Sequence, residues 1–424
     1  MTMHILHAVH AYKPAYRVGG PVVSVSATAE TLVRKGHRVT VITSNSNLDQ
    51  DLEVPLEQPI DVNGVSVWYF RRDEPLRKWL PFVPYLSRSM GFLYCAGMRP
   101  ALNKLIRDVD VVHTHMPFVY PTYAAAHAAF RHAKPLIYHQ RGNFDPARLK
   151  FRGRKKRLYI ALVERPIMRR ASTLIALTAA EESSFKALGV PTPCEIIPNG
   201  MDVRAVRPGA EERVRLRWNV PLDAKLVLFL GRLHPIKGAE RLMEAFMLVG
   251  QRFPNTILMM AGPDEWRLEP QWRERLRGVL ADRVIFPGML TGDEKEDVLA
   301  RADLFSLPSA GEGFSMAALE ALAHGTAVML SPGCHFPEVE QAGAGLVVPA
   351  EPRAMAAALA HLLADPGRLA TMGAFGRQLL ANRYTWDAIT DRLIDIYAAA
   401  SVPKLRDSHR PRAPVVTPSA GEAQ

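Results

Sequence analysis

The 424-residue chain has only three cysteines, Cys95, Cys194 and Cys334, far apart and odd in number. That excludes a disulfide framework, suits a reducing compartment and leaves no basis for a cysteine zinc site. No stretch approaches the roughly 20 uninterrupted apolar residues of a membrane-spanning helix. The opening, Met1-Thr-Met-His-Ile-Leu-His-Ala-Val-His10, lacks the basic and long apolar regions of a signal peptide. A cytoplasmic location is therefore expected, peripheral on the inner face of the plasma membrane if lipid is bound. Acidic residues are in deficit: 42 Asp and Glu against 53 Lys and Arg, a net charge of +11. Much of that excess is local, in Arg148, Lys150, Arg152, Arg154, Lys155, Lys156 and Arg157. Such a run either meets an anionic membrane surface or is a solvated helix face. No aromatic-rich RNA-binding signature accompanies it, so nucleic acid is not an expected partner. Neither the G-x-G-x-x-G fingerprint nor a P-loop is present, which argues against a standard dinucleotide or P-loop nucleotide site.

What is present is enough for two domains. Hydrophobic residues make up 48% of the chain. Apolar runs at 4–10, 38–43, 65–70, 110–115, 135–139 and 172–177 read as strands, with helices expected between most of them, at about 91–107 and up to about 170 among others. Residues 71–90, rich in proline and aromatics, resist assignment. After a polar, Arg-rich spacer at about 203–222 the alternation restarts with strands at 226–230, 255–261, 284–286, 302–307, 327–330 and 346–348. Strands alternating with helices imply parallel sheets. Residues 385–400 read as a final helix, and the Pro-, Arg- and Ser-rich tail from about 403 as disorder.

One stretch carries the chemistry, Pro308-Ser-Ala-Gly-Glu-Gly-Phe-Ser-Met-Ala-Ala-Leu-Glu-Ala-Leu-Ala-His-Gly325. Met316, Leu319, Leu322 and Ala323 follow a helical spacing, with Ser315 as N-cap and Gly325 as stop. Glu312, Gly313 and Phe314 then occupy the turn between strand and helix, and Glu320 lies on the helix. A helix start offers N–H groups and partial positive charge to a phosphate. Flanking carboxylates accept hydrogen bonds from sugar hydroxyls. The pattern suits a sugar joined to a diphosphate; the competing reading is a glycine-containing turn with two solvated glutamates. At the same sheet edge, Gly231 and Gly238 bracket Arg232 and Lys237, whose charges suit a diphosphate. In the first half, a Gly19-Gly20 loop overlies the carboxyl end of the first strand, where open α/β sheets gather ligands. His113 and His115 share one face of a strand running into a loop. With no third ligand at a recognisable spacing, they read as hydrogen-bonding groups facing a cleft, or as one packed and one exposed histidine, rather than as a metal pair.

Taken in order, these motifs resemble the family 4 ("group 1") retaining glycosyltransferases, over about His4 to Tyr397. The matching pieces are Gly19-Gly20-Pro21, Arg34–Val41, Ile197-Pro-Asn-Gly-Met-Asp202, Gly231-Arg232…Lys237-Gly238 and Glu312-Gly-Phe…Glu320-Ala-Leu-Ala-His-Gly325. The resemblance implies a GT-B fold: two Rossmann-like α/β domains, 1–202 on the acceptor side and 203–384 on the nucleotide-sugar side. It also implies a helix at 385–402 crossing back to the first domain, ahead of a disordered tail at 403–424.

By position, the resemblance implies that Arg232 and Lys237 hold the donor diphosphate and Glu312 contacts the transferred sugar. The Phe314, Ser315 and Met316 amides would hold phosphate or sugar oxygens, beside Gly313 and Gly231. Glu320 would bind ribose, and Gly19 and Gly20 would admit the donor phosphate and the acceptor. His115 would lie near the transferred sugar, with His113 as the alternative, and Arg141 on the acceptor or donor side. The expected donor is a UDP-, GDP- or ADP-sugar. The Arg141-Gly-Asn-Phe-Asp-Pro146 loop resembles that of relatives in bacterial surface polysaccharide assembly, which implies a lipid-linked glycan acceptor. No D-x-D-type metal clamp stands out, and neither an essential metal nor a cofactor is expected. The rival readings are a GT-B nucleotide-sugar epimerase and a non-catalytic nucleotide-sugar-binding protein.

Overall fold

Two predominantly parallel sheets account for the strand–helix alternation. The computed structural model describes residues 2–48, 50–73, 93–145, 153–276 and 278–402. Arg148, Lys150 and Arg152 of the basic run, most of the 71–90 stretch and the tail from 403 lie outside the described residues.

The first sheet holds β1 (His4–Ala8), β2 (Arg38–Ser44), β3 (Pro59–Val62), β4 (Val65–Phe70), β5 (Val111–His115), β6 (Leu136–His139), β7 (Thr173–Ala176) and β8 (Cys194–Ile196). Their spatial order is β8-β7-β6-β5-β1-β2-β4-β3. All neighbours are parallel except β3, which returns antiparallel on β4 as an edge hairpin. The sequence reading passes over β3, because its half-exposed residues carry a weak apolar signal. Helices α1 (Gly20–Arg34), α2 (Met98–Leu105) and α3 (Tyr120–Arg131) belong to this half. So do α4 (Gly153–Tyr159), a π-helical turn (Ile160–Glu164), α5 (Arg165–Arg170) and α6 (Ala179–Ala187). α2 begins at Met98, later than the periodicity predicts.

The polar spacer contains α7 (Ala210–Trp218), which buries Ala210 and Val214 between left-handed Gly209 and Asn219. The second sheet follows: β9 (Lys225–Leu230), β10 (Thr256–Ala261), β11 (Val284–Gly288), β12 (Leu304–Leu307), β13 (Ala327–Leu330) and β14 (Gly345–Val347). Its order is β11-β10-β9-β12-β13-β14. Around it lie α8 (Ala239–Val249), α9 (Leu268–Arg275), α10 (Gly292–Arg301), α11 (Met316–His324), α12 (Pro352–Leu363) and α13 (Pro366–Arg383). Each sheet has a topological switch point, beside β1 in the first and beside β9 in the second, and crevices for ligands open at the carboxyl ends there.

The last helix, α14 (Trp386–Ser401), starts from Thr385, whose side chain accepts from the Ala388 N–H. It returns to the first half: Ile389, Leu393 and Tyr397 pack into the core with Ile5, Val25, Val41 and Val111. Among the described residues no helix is long and apolar enough to cross a membrane.

Candidate active site

The strand–turn–helix at 304–324 forms as its sequence dictates. Ser315 is extended, and its hydroxyl oxygen accepts from the Ala318 N–H at 3.2 Å, capping α11. Gly325 closes the helix in the left-handed region (φ 79). The turn is then bound to the loop after β9. The Ala310 N–H donates to the Ile236 carbonyl (2.7 Å), and the Ser309 hydroxyl does so at 2.9 Å. Glu312 N–H donates to the Gly333 carbonyl at 2.9 Å. These bonds bring Lys237 Nζ to 2.6 Å from Glu312 Oε1, with the Glu312 side chain only 7% exposed. Glu312 is therefore not the solvated glutamate of the competing reading. Phe314 is locked by Phe336 and Tyr384, with ring centroids at 4.7 and 5.7 Å. Glu320, one turn into α11, pairs with Lys295 Nζ at 2.9 Å. It borders a cavity of about 300 Å³ that also meets Lys13, Glu30, Arg34 and Met201. Arg232 departs from the expected convergence. It is half-exposed and turned away to Glu265 (2.9 Å), so Lys237 is the cation held at the turn in this arrangement.

The first half approaches this turn through Gly20 and Gly142, among other residues. α1 starts at Gly20, after Gly19 in the positive-φ region (φ 93), and a Cβ on Gly20 would stand 3.4 Å from Met316 Cγ. The first residues of α1 and α11 thus lie side by side. The second contact is Gly142 against Gly313. A Cβ on Gly142 would lie 2.7 Å from Gly313 Cα, and Gly142 has φ +77, so this close passage of two backbones requires glycine. Asp145 extends the seam, 3.4 Å from His335 Nε2.

The histidines lie beneath this seam and not in an open cleft. In-register pairing sets His7 on β1 beside His113, and His115 on β5 beside His139 on β6. All four are buried. Arg141 Nε donates to His115 Nδ1 at 3.0 Å. Because a guanidinium only donates, His115 carries its proton on Nε2 and donates it to His7 Nδ1 at 2.8 Å. His113 Nδ1 meets the Tyr397 hydroxyl of α14 at 2.6 Å. Burial, reinforced by Arg141, depresses His7 to about 3. Burial first, then neighbouring charges, holds His113, His115 and His139 well below the usual imidazole value. The rings are neutral.

His7, His113 and His115 also bring one ligand atom each within 4.8 Å of the others. A metal there would have to displace the His115–His7 hydrogen bond and sit against the Arg141 cation, so the donor set fits a neutral relay better than a metal centre. This grouping escapes sequence reading, since His7 and His115 are separated by 108 residues.

Arg141 is the centre of the seam. Besides His115, its Nη1 donates to Ser24 Oγ of α1 (2.9 Å) and to Asn199 Oδ1 (3.1 Å). Asn199 in turn donates to the Phe314 carbonyl at 3.3 Å, joining the Pro198-Asn199-Gly200 segment to the turn. Burial lowers the guanidinium to about 10, opposed by Glu181. Glu181 lies in the first turn of α6, where its N–H donates to the N-cap Thr178 Oγ1 at 3.3 Å and its Oε2 caps the Leu177 N–H at 2.8 Å. Its carboxylate also reaches the site, 3.2 Å from where a Gly313 Cβ would stand.

Comparison with known proteins agrees with this architecture. Residues 19–200 match the model of the glycosyl transferase 4-like domain, and residues 224–365 that of glycosyl transferases group 1. A D-inositol 3-phosphate glycosyltransferase of Salinispora tropica is 31% identical over 255 residues, 56% of this chain and 53% of the relative. The chain thus matches about half the length of that relative. A protein of the same name from Saccharomonospora viridis is 28% identical over 396 residues, 90% of this chain and 89% of its own. The structure of Anabaena HepE in complex with UDP-glucose has a TM-score of 0.70 at 20% identity, covering 94% of this chain and all of that one. With two family models in tandem and the two-sheet fold described above, the chain belongs to the group 1 glycosyltransferases of GT-B fold.

Proposed function

We propose that the protein transfers a sugar, with retention of anomeric configuration, from a nucleoside-diphosphate sugar to a hydroxyl of a lipid-linked glycan in surface polysaccharide synthesis. The observation that carries this reading is the pairing of Lys237 with Glu312 in the turn before α11, whose first residue, Met316, meets the Gly20 start of α1. Lys237 and the amides at 314–316 would take up charge on the departing diphosphate, an electrostatic contribution on the order of 10²–10³ in rate per donor group. Arg232 joins them by leaving Glu265. Glu312, freed from Lys237 as phosphate takes the cation, would accept from a sugar hydroxyl. Glu320 would exchange Lys295 for ribose hydroxyls. The UDP-glucose held by HepE supports this class of donor. The Gly142–Gly313 contact keeps the seam narrow, which limits water at the reacting carbon.

A phosphorylated acceptor is the second reading. The Salinispora relative's name supports it, and so does Arg141, whose Nη2 has no hydrogen-bond partner among the described residues. The test is a panel of UDP-, GDP- and ADP-sugars assayed for nucleoside diphosphate release, with and without membrane lipid extract and inositol phosphates. Release from one donor that depends on lipid extract is expected. Dependence on inositol phosphate instead selects the second acceptor. No release, together with no nucleotide binding by calorimetry, overturns transfer altogether.

A further inference from the structure

The segment from α4 through the π turn to α5 has two faces with different demands. Its inner face buries Ile160, Glu164, Ile167 and Met168. The π turn is marked by the Arg165 N–H bonding back to the Ile160 carbonyl, five residues earlier. The outer face exposes Leu158 at 62% and Leu162 at 68%, one turn apart. Arg154, Lys155 and Arg157 are exposed beside them. Between Asp145 and Glu164 the sequence holds no acidic residue. Single exposed leucines are ordinary on a protein surface; two, one turn apart on a stretch that carries cations and no acidic residue, are not what a solvated helix face requires.

We infer that this outer face docks on an anionic phospholipid bilayer, with Leu158 and Leu162 entering the acyl boundary and the flanking cations lying among the headgroups. Charge complementarity selects the partner: exposed cations beside an apolar pair match a surface whose exterior is anionic and whose interior is hydrocarbon. Position gives docking a purpose. On its inner side the same segment holds the loop that follows His115: Tyr159 packs on Phe118 at 5.6 Å, and Glu164 Oε1 accepts from the Phe118 N–H at 2.7 Å. Docking therefore places the acceptor-side half against the membrane with the 116–119 loop close behind the contact. The inference rests on the lipid-linked acceptor reading only for this purpose; the contact itself is testable without catalysis.

The experiment is co-sedimentation of the full chain with phosphatidylcholine vesicles, with and without phosphatidylglycerol. Wild-type protein is expected to bind only the anionic vesicles. Leu158→Ser with Leu162→Ser should weaken binding about tenfold or more, the effect of withdrawing two apolar side chains from the acyl boundary, and leave its salt dependence in place. Arg154→Gln, Lys155→Gln and Arg157→Gln should each cost about fivefold and flatten the salt dependence. Because both leucines are exposed, thermal melting of the serine variant should match wild type.

Equal binding by the serine variant overturns leucine insertion. Binding to neutral vesicles alone, or to neither kind, overturns the surface as a whole. A dimer in vesicle-free solution that the serine variant abolishes would assign the patch to a second copy and overturn the proposal too. Nucleoside diphosphate release in solution, measured alongside, reports on the transferase reading independently of all these outcomes.

Discussion

Glu164 offers a pH experiment with a definite sign. The carboxyl is 2% exposed, at the end of the π turn, and accepts from the Phe118 N–H and from the Tyr138 hydroxyl, both at 2.7 Å. Burial pushes it from 4.5 up to about 7, outweighing the two hydrogen bonds that pull the other way. Tyr159 and Tyr138 face it, and their own ionisation is pushed further up in pH, so neither titrates in this window. A folded-state value raised above the unfolded one means that the stabilisation from proton binding is complete below about 4.5 and is lost as pH rises through 7. Raising the carboxyl from 4.5 to about 7 corresponds to about 3.5 kcal/mol, at roughly 1.4 kcal/mol for each tenfold change in proton affinity. Glu164→Gln mimics the protonated acid: its carbonyl accepts from the Phe118 N–H and its amide donates to the Tyr138 oxygen. Urea denaturation should therefore find the variant close to wild type at pH 5 and more stable at pH 8, by up to that amount. The buried histidines act with the opposite sign, depressed values costing stability as pH falls, but they are common to both proteins and cancel in the difference. A stability difference that is the same at pH 5 and pH 8 would refute the reasoning.

Lys237→Gln should reduce nucleoside diphosphate affinity by about 10–100-fold, the loss of one charge-assisted contact, whereas Glu312→Gln should leave that affinity within about threefold while transfer falls. Calorimetry that ranks the two variants the other way round would reverse their assigned roles. Glu320→Ala should weaken nucleotide binding about tenfold or more, and unaltered affinities for UDP, GDP and ADP would remove the ribose assignment. Gly142→Ala, which forces a Cβ toward Gly313 Cα at positive φ, should slow transfer more than Gly313→Ala does, measured as kcat at saturating donor. Equal rates for wild type and both alanine variants would show that the seam opens before chemistry.

The sequence by itself determines the local parts of the site. Ser315 as N-cap, Gly325 as stop and the Glu312–Glu320 spacing depend on contacts within a few residues, which a linear reading sees. The two α/β halves are legible for the same reason, since alternating apolar runs and helical periods set them. What only tertiary structure decides is which distant groups meet. Parallel register brings His7 and His113 side by side, and Arg141 gathers His115, Ser24 and Asn199 from separate elements. It also decides that the histidine pair is buried, that Arg232 prefers Glu265 to the turn, and that capping Glu181 doubles as a charge at the site. The physical reason is range. Caps and helical faces are set by neighbours a turn away, whereas burial, charge compensation and the passage of Gly142 against Gly313 depend on surfaces that exist only once the two sheets are formed and facing.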